Sequence, residues 1–320
     1  MSLGVPVAAL PPTLLDTVSP AAPGTPLPAL WGSSVSPALL DSLLPVLPGA
    51  FLPALLGGFL PALPRAFLPA VLGGFLPALP GALLPALVGT VAGALAGAVV
   101  PGLAHRMAAP VGGPTRSACR ACGQPVPSGA AGWVATRCAH CEIRRGPPVV
   151  VTVVTGAIVL GGLAAARHDD PALPALLGMA VVGLVLGAVD LACLRLPDPL
   201  VATAGLVGAV GLTVAALLAG TPGRLLTVLA GAAGSALLYV VLALLPGSRL
   251  GFGDVKLGAV LGLPLGWLGW PSVLLGLVLP HLLNGLVVLV LLALRRVRRD
   301  TVLPLGPALL TGAWLAALLA

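Results

Sequence analysis

The chain has 320 residues, of which 58% are hydrophobic and 8% charged, against about 25% charged in a soluble domain. A mean hydropathy of +1.11 exceeds what a soluble core absorbs and makes this a polytopic membrane protein. The net charge of +7 does not point to nucleic acid: all the cations except Lys256 are Arg, scattered over loops beside apolar runs as topology determinants, and no nucleic-acid partner is expected.

Residues 1–82 form a Pro-, Leu- and Ala-rich arm. Phe51-Leu-Pro-Ala-Leu recurs at Phe59 and Phe75, with Phe67-Leu-Pro-Ala-Val and Leu83-Leu-Pro-Ala-Leu as variants, every eight residues. A proline in each repeat excludes one straight helix, and the period matches no common solenoid. The arm reads as low-complexity sequence, such as an overextended start to the reading frame, with a membrane-associated arm as the functional alternative.

A membrane span needs about 20 apolar residues. The candidates are 84–104, 148–166, 171–191, 199–219, 224–246, 255–270, 272–294 and 301–320, with 255–270 short and Gly-rich. The expected fold is an all-α, polytopic membrane helix bundle of about eight transmembrane helices: a first span over 83–104, a small loop over 105–147, and a transmembrane domain over 148–320.

The positive-inside rule orients the spans. Segment 105–147 holds Arg106, Arg116, Arg120, Arg137, Arg144 and Arg145. Alternation from there puts Arg195, Arg249, Lys256, Arg295, Arg296, Arg298 and Arg299 on the same, cytoplasmic side. Only Arg65, Arg167 and Arg224 fall opposite.

Within 105–147, Cys119-Arg-Ala-Cys122 and Cys138-Ala-His-Cys141 form two Cys-x-x-Cys pairs. This is the layout of a tetrahedral four-cysteine site. Four thiolates leave no open position, so structural zinc is expected on Cys119, Cys122, Cys138 and Cys141, ahead of a redox pair or an iron site. His140 is a bystander. Cys193 is read as a small apolar residue in a helix.

Ionisable residues in a membrane segment are functional candidates. The chain has nine acidic residues, and two of them reach the same membrane face by counting spans. Asp190 ends the third span. Asp254 sits in Gly251-Phe-Gly-Asp-Val-Lys256-Leu, at the mouth of the sixth. Paired carboxylates sharing a proton and activating a water are aspartic-protease chemistry. Gly251 and Gly253 leave room for close backbone approach or an extended substrate strand. Lys256 is an inside anchor, and Asp198 either tunes the pair or caps the next helix.

These residues together resemble the bacterial prepilin peptidases, the type IV leader peptidases of the aspartic class. The matching pieces are the Cys-x-x-Cys pairs, Asp190 to Asp198 ending in Leu196-Pro197-Asp198, Gly251 to Leu257, and Leu303-Pro-Leu-Gly-Pro307. The resemblance covers about residues 83–320. It implies that Asp190 and Asp254 are catalytic and that a short basic leader is cut after a Gly, on the cytoplasmic side of the cell membrane. Prepilin or pseudopilin substrates, with a mature end that starts an apolar helix, would be the partners in the lipid bilayer. After the second pair the chain reads Ile143-Arg-Arg-Gly-Pro-Pro-Val-Val-Val151, without the Glu typical of the family. N-methyltransferase activity is therefore an alternative addition, with S-adenosylmethionine as cofactor only if methylation is retained. A presenilin-type intramembrane protease, or a non-enzymatic membrane scaffold or transporter, are the competing readings.

Overall fold

A computed structural model of the chain describes residues 79–108, 116–127, 129, 132, 135–248, 250–298, 301 and 303–320. Most of the octapeptide arm, with Arg65, Arg249 and Arg299, lies outside them.

Among the described residues eight helices follow in order: α1 Leu79–Met107, α2 Val149–Ala166, α3 Leu173–Cys193, α4 Asp198–Leu218, α5 Arg224–Leu244, α6 Phe252–Leu268, α7 Trp270–Ala293 and α8 Gly306–Leu319. Each falls on an expected span. Helix α1 begins at Leu79 rather than 83 and runs through His105 to Met107, so the connecting loop starts at Ala108. Prolines mark several starts, at Pro174, Pro199, Pro271 and Pro307; there the missing N–H removes no helical bond.

Among the described residues six helices, α1 to α5 and α7, are by themselves long and apolar enough to cross a membrane. Helices α6 and α8 have only 17 and 14 residues, about 25 and 21 Å at the usual rise per residue, short of a hydrocarbon core of about 30 Å. Both nonetheless reach both ends of the bundle. At one end Lys256 Nζ in α6 meets Asp198 Oδ1 at the start of α4, at 2.7 Å. At the other, Trp267 Nε1 donates to Asp170 Oδ1 at 3.0 Å, and Arg224 lies over the Trp267 ring. Helix α8 begins against Asp190, while Arg167 donates to the main-chain oxygens of Ala317 and Ala320 near its far end. Every one of these contacts joins ends that strict alternation puts on the same side.

Close helix pairs rest on small residues. Gly89, Gly93 and Gly97 of α1 lie against the α2 backbone at Leu160, Gly156 and Thr152, and Gly262 and Gly266 of α6 lie against α5 near Gly231 and Thr227. This spacing of four is the small-xxx-small packing of membrane helices. Leu83, Val150, Leu218, Leu226, Leu244 and Leu286 point outward from the bundle, as lipid-facing side chains do. The buried cluster of Leu186, Val201, Ala204, Tyr239, Val255, Leu257 and Leu309 ties α3, α4, α5, α6 and α8 together directly beside the two aspartates.

Candidate active site and metal centre

Asp190 lies in the last turn of α3 and is 4% exposed. Helix α3 ends three residues later, where Leu194 takes up a left-handed conformation and its N–H closes on the Asp190 carbonyl at 2.8 Å. The Asp190 carboxylate accepts one hydrogen bond, from the Gly306 N–H to Oδ2 at 2.9 Å. Gly306 is the first residue of α8, so the positive end of that helix faces the carboxylate. A Cβ on Gly306 would lie 2.6 Å from Asp190 Oδ2; only glycine brings the amide this close.

Asp254 occupies the first turn of α6. It is half-buried, and its Oδ2 accepts a long bond of 3.3 Å from the Gly251 N–H. Asp190 in the last turn of α3 and Asp254 in the first turn of α6 lie at the same end of the bundle, the end that the Lys256–Asp198 pair ties together. Leu186, one turn before Asp190, packs in the same cluster as Val255 and Leu309, so side chains flanking both aspartates and Gly306 lock the three helix ends together.

The supporting residues have specific jobs. The space that Gly253 leaves is used by Leu196, whose Cβ would lie 3.1 Å from a Cβ at 253. That glycine seats the Asp254 turn closely on the Leu196-Pro197-Asp198 loop. Asp198 is the first residue of α4, whose cap is Pro197 with no side-chain cap bond. Its carboxylate instead pairs with Lys256, bridging the two aspartate-bearing segments. Both partners are solvent-accessible, and such pairs contribute only about 0–1 kcal/mol.

Two neighbours escaped the sequence reading. Gly306 belongs to the Leu303–Pro307 run, but nothing in the sequence pairs it with Asp190. Tyr239, the single tyrosine of the chain, is buried in α5 with a hydroxyl that has no hydrogen-bond partner. Its ring fills the space over Gly258, one turn along α6 from Asp254, and stacks obliquely on His281 of α7. A lone tyrosine in an otherwise apolar helix was the available signal.

Beside α3, α6, α8 and α2 runs an apolar cavity of about 400 Å³, lined by Leu186, Gly187, Leu257, Pro307, Leu310 and Trp314 among others. It adjoins the first turn of α8 and hence the Asp190 carboxylate.

The loop between α1 and α2 folds as two matching knuckles. In the first, the Cys119 N–H donates to Gln124 O and the Gly123 N–H to Cys119 O; in the second, Cys138 N–H donates to Ile143 O and Glu142 N–H to Cys138 O. The equivalent residues Gly123 and Glu142 have φ of 70° and 56°, so Glu142 sits where glycine is favoured. His105 Nε2 lies 3.2 Å from Ala118 O and ties α1 to the first knuckle.

The four sulfurs lie within 4.8 Å of one another, with Cys119–Cys141 at 3.7 Å and Cys122–Cys138 at 3.6 Å. Tetrahedral Zn–S bonds of about 2.3 Å separate sulfurs by about 3.8 Å, so the set fits a metal and forms no disulfide. The backbone amides of Cys141 and His140, then the Arg145 guanidinium, bring the Cys138 thiol down to about 5. Amides of Cys122 and Ala121 lower Cys119. Cys141 is pushed up to about 12: the Ile143 amide favours its thiolate, but desolvation and the sulfurs of Cys122, Cys138 and Cys119 together prevail. Accumulated negative charge of this kind is what a bound cation relieves. His140 is not among the converging groups.

Two curated proteins are similar to this chain, the prepilin leader peptidase/N-methyltransferases of Burkholderia pseudomallei strains 1026b and K96243. Each is 33% identical over 184 residues, covering 55% of this chain and 56% of the relative. The chain thus matches about half the length of these curated relatives. No family model matches, and no solved structure matches.

Proposed function

We propose that this protein is a membrane-embedded aspartic endopeptidase that removes the leader peptide of type IV prepilins or pseudopilins. One observation carries the reading: carboxylates from α3 and α6, 64 positions apart in sequence, lie at the same end of a membrane bundle beside one buried cluster, each held by a backbone N–H. The similarity to named prepilin leader peptidases supports the substrate class.

Asp190 and Asp254 share one proton, because like charges this close resist double ionisation. The ionised member takes a proton from a water as that water attacks the scissile carbonyl. The protonated member donates a hydrogen bond to the developing oxyanion and then passes its proton to the leaving amine. The Gly306 amide fixes the Asp190 carboxylate for this, and the Lys256–Asp198 pair keeps the two segments in register. The adjoining apolar cavity suits the apolar helix that follows the cleavage point in such substrates.

The bundle end that carries the aspartates also carries the cation-rich 105–147 loop, which by the positive-inside rule is cytoplasmic. Zinc is the metal we assign to Cys119, Cys122, Cys138 and Cys141. Bound there, it supplies structural closure of the two knuckles and no open position for catalysis. The relatives' name includes an N-methyltransferase activity; if this chain retains it, with S-adenosylmethionine as the methyl donor, it does so without the glutamate that the family typically has after the second knuckle.

The test is co-expression with a candidate prepilin, read by intact mass. Wild type removes the leader, and an added methyl mass reports the second activity. Asp190→Asn and Asp254→Asn each insert and bind zinc but retain less than about a hundredth of the cleavage, since acid–base groups supply roughly 10²–10⁴-fold. Cleavage near the wild-type rate in either variant rejects the dyad.

A further inference from the structure

A second polar site lies between the knuckles and the ends of α1 and α3. The cavity there measures about 460 Å³, and His105, Arg116, Arg120, Arg144, Arg145 and Cys193 contribute to its wall. No carboxylate lines it. Among the described residues, none of its four arginines is in an ion pair with a carboxylate.

Arg145 decides what the cavity is for. It is 7% exposed, yet its Nε and Nη1 have no hydrogen-bond partner. A buried guanidinium with unsatisfied N–H donors is strongly unfavourable. Its charge helps lower the nearby Cys138 thiol, and a four-thiolate zinc carries a net charge of about −2. That charge offsets part of the positive cluster but leaves Nε and Nη1, which point to different sides of the guanidinium, each without an acceptor among the described residues. The His105 ring answers neither need: it feels the positive charges of Arg145 and Arg116 and is committed to the Ala118 carbonyl.

Position and geometry narrow the ligand. The cavity sits where α1 and α3 end and α2 is about to begin, with Ala104, Pro147 and Ala192 in its wall. That level is the boundary between hydrocarbon and water. A phosphate offers several charged oxygens to the separate N–H donors of a guanidinium and to the arginines around it, and basic pockets between membrane helices on the cytoplasmic side bind phospholipid headgroups.

We propose that this cavity binds a phosphate group, with Arg145 donating from an N–H that is otherwise unpartnered and Arg116, Arg120 and Arg144 supplying the surrounding charge. The source is either the headgroup of an anionic phospholipid or a soluble phosphate. The site is separate from the aspartates and stands whether or not they cleave a leader.

The experiment follows thermal unfolding of the purified, zinc-loaded full chain in uncharged detergent. Short-chain phosphatidylglycerol, inorganic phosphate and a short-chain diacylglycerol without phosphate are titrated separately. A ligand of the folded state raises the midpoint with concentration. The expected result is a saturable rise with phosphatidylglycerol, inorganic phosphate or both, and none with diacylglycerol. The apparent Kd weakens at least tenfold in Arg145→Gln and Arg116→Gln. It stays within about twofold in Arg137→Gln, an exposed arginine of the second knuckle outside the cavity. A rise with phosphatidylglycerol alone assigns the lipid headgroup, and a rise with inorganic phosphate assigns a soluble source. If Arg145→Gln does not fold, Arg116→Gln and Arg120→Gln decide. No saturable rise with either phosphate ligand, or an undiminished one in the cavity variants, overturns the proposal.

Discussion

Replacing Gly306 with alanine probes the candidate site at its tightest point. The new Cβ would lie 2.6 Å from Asp190 Oδ2 and 3.1 Å from Cγ, where ordinary contact begins at 3.4 Å. The Asp190 carboxylate is boxed in by its own helix and the cluster around Leu186 and Val189, so it has to give way by about 0.8 Å to restore contact distance. Such a shift breaks or bends the 2.9 Å bond from the Gly306 amide. A hydrogen bond to a charged group contributes about 1.5–3 kcal/mol, and about 1.4 kcal/mol is tenfold in rate. Displacements near an ångström cost enzymes about 10²-fold. Cleavage of a prepilin by purified Gly306→Ala should therefore fall by about 10- to 100-fold in kcat/KM, with zinc content and helix content unchanged. Gly285→Ala is the control, because a Cβ there meets nothing within 4 Å, and its rate should match wild type. A folded, zinc-loaded Gly306→Ala enzyme that cuts within twofold of wild type would refute the claim that this amide orients Asp190.

The metal site gives two further expectations. Purified, reduced protein should hold about one zinc per chain by elemental analysis, and Cys119→Ser should lose it to a chelator faster while Asp190 and Asp254 keep their chemistry; metal-free preparations would reject the assignment. Glu142 holds a φ of 56° where the matching knuckle has Gly123; Glu142→Gly should relieve about 1 kcal/mol of left-handed strain and slow zinc loss to a chelator, and faster loss would contradict the pairing of the two knuckles. A chain starting at Leu79, the first residue of α1, should insert and cleave like the full chain, because every motif lies beyond that point; a stable but inactive product would assign the octapeptide arm a part in activity.

The sequence alone determined the class of molecule and the two sets of chemical groups. Apolar runs of near 20 residues are readable without contacts, because a membrane span is defined by length and transfer free energy. The Cys-x-x-Cys pairs are equally local, since each turn places its two sulfurs by its own backbone bonds. Both aspartates were legible because a carboxylate in an apolar chain is rare and because counting spans puts Asp190 and Asp254 at the same end. The tertiary structure decided what those groups touch. That Gly306 serves Asp190, that Leu196 takes the space left by Gly253, and that Asp198 turns to Lys256 instead of capping α4 depend on how α3, α4, α6 and α8 pack. Residues 116 or 58 positions apart carry no mark of their pairing in one sequence. The short helices α6 and α8 also needed the fold: hydropathy judges a span by length, whereas these two reach both ends of the bundle through contacts at Lys256 and Trp267, and at Gly306 and Ala317. Arg145 makes the same point. In the sequence it is one of six loop arginines that orient the chain; only burial against a cavity, with Nε and Nη1 left without an acceptor, separates it from the other five.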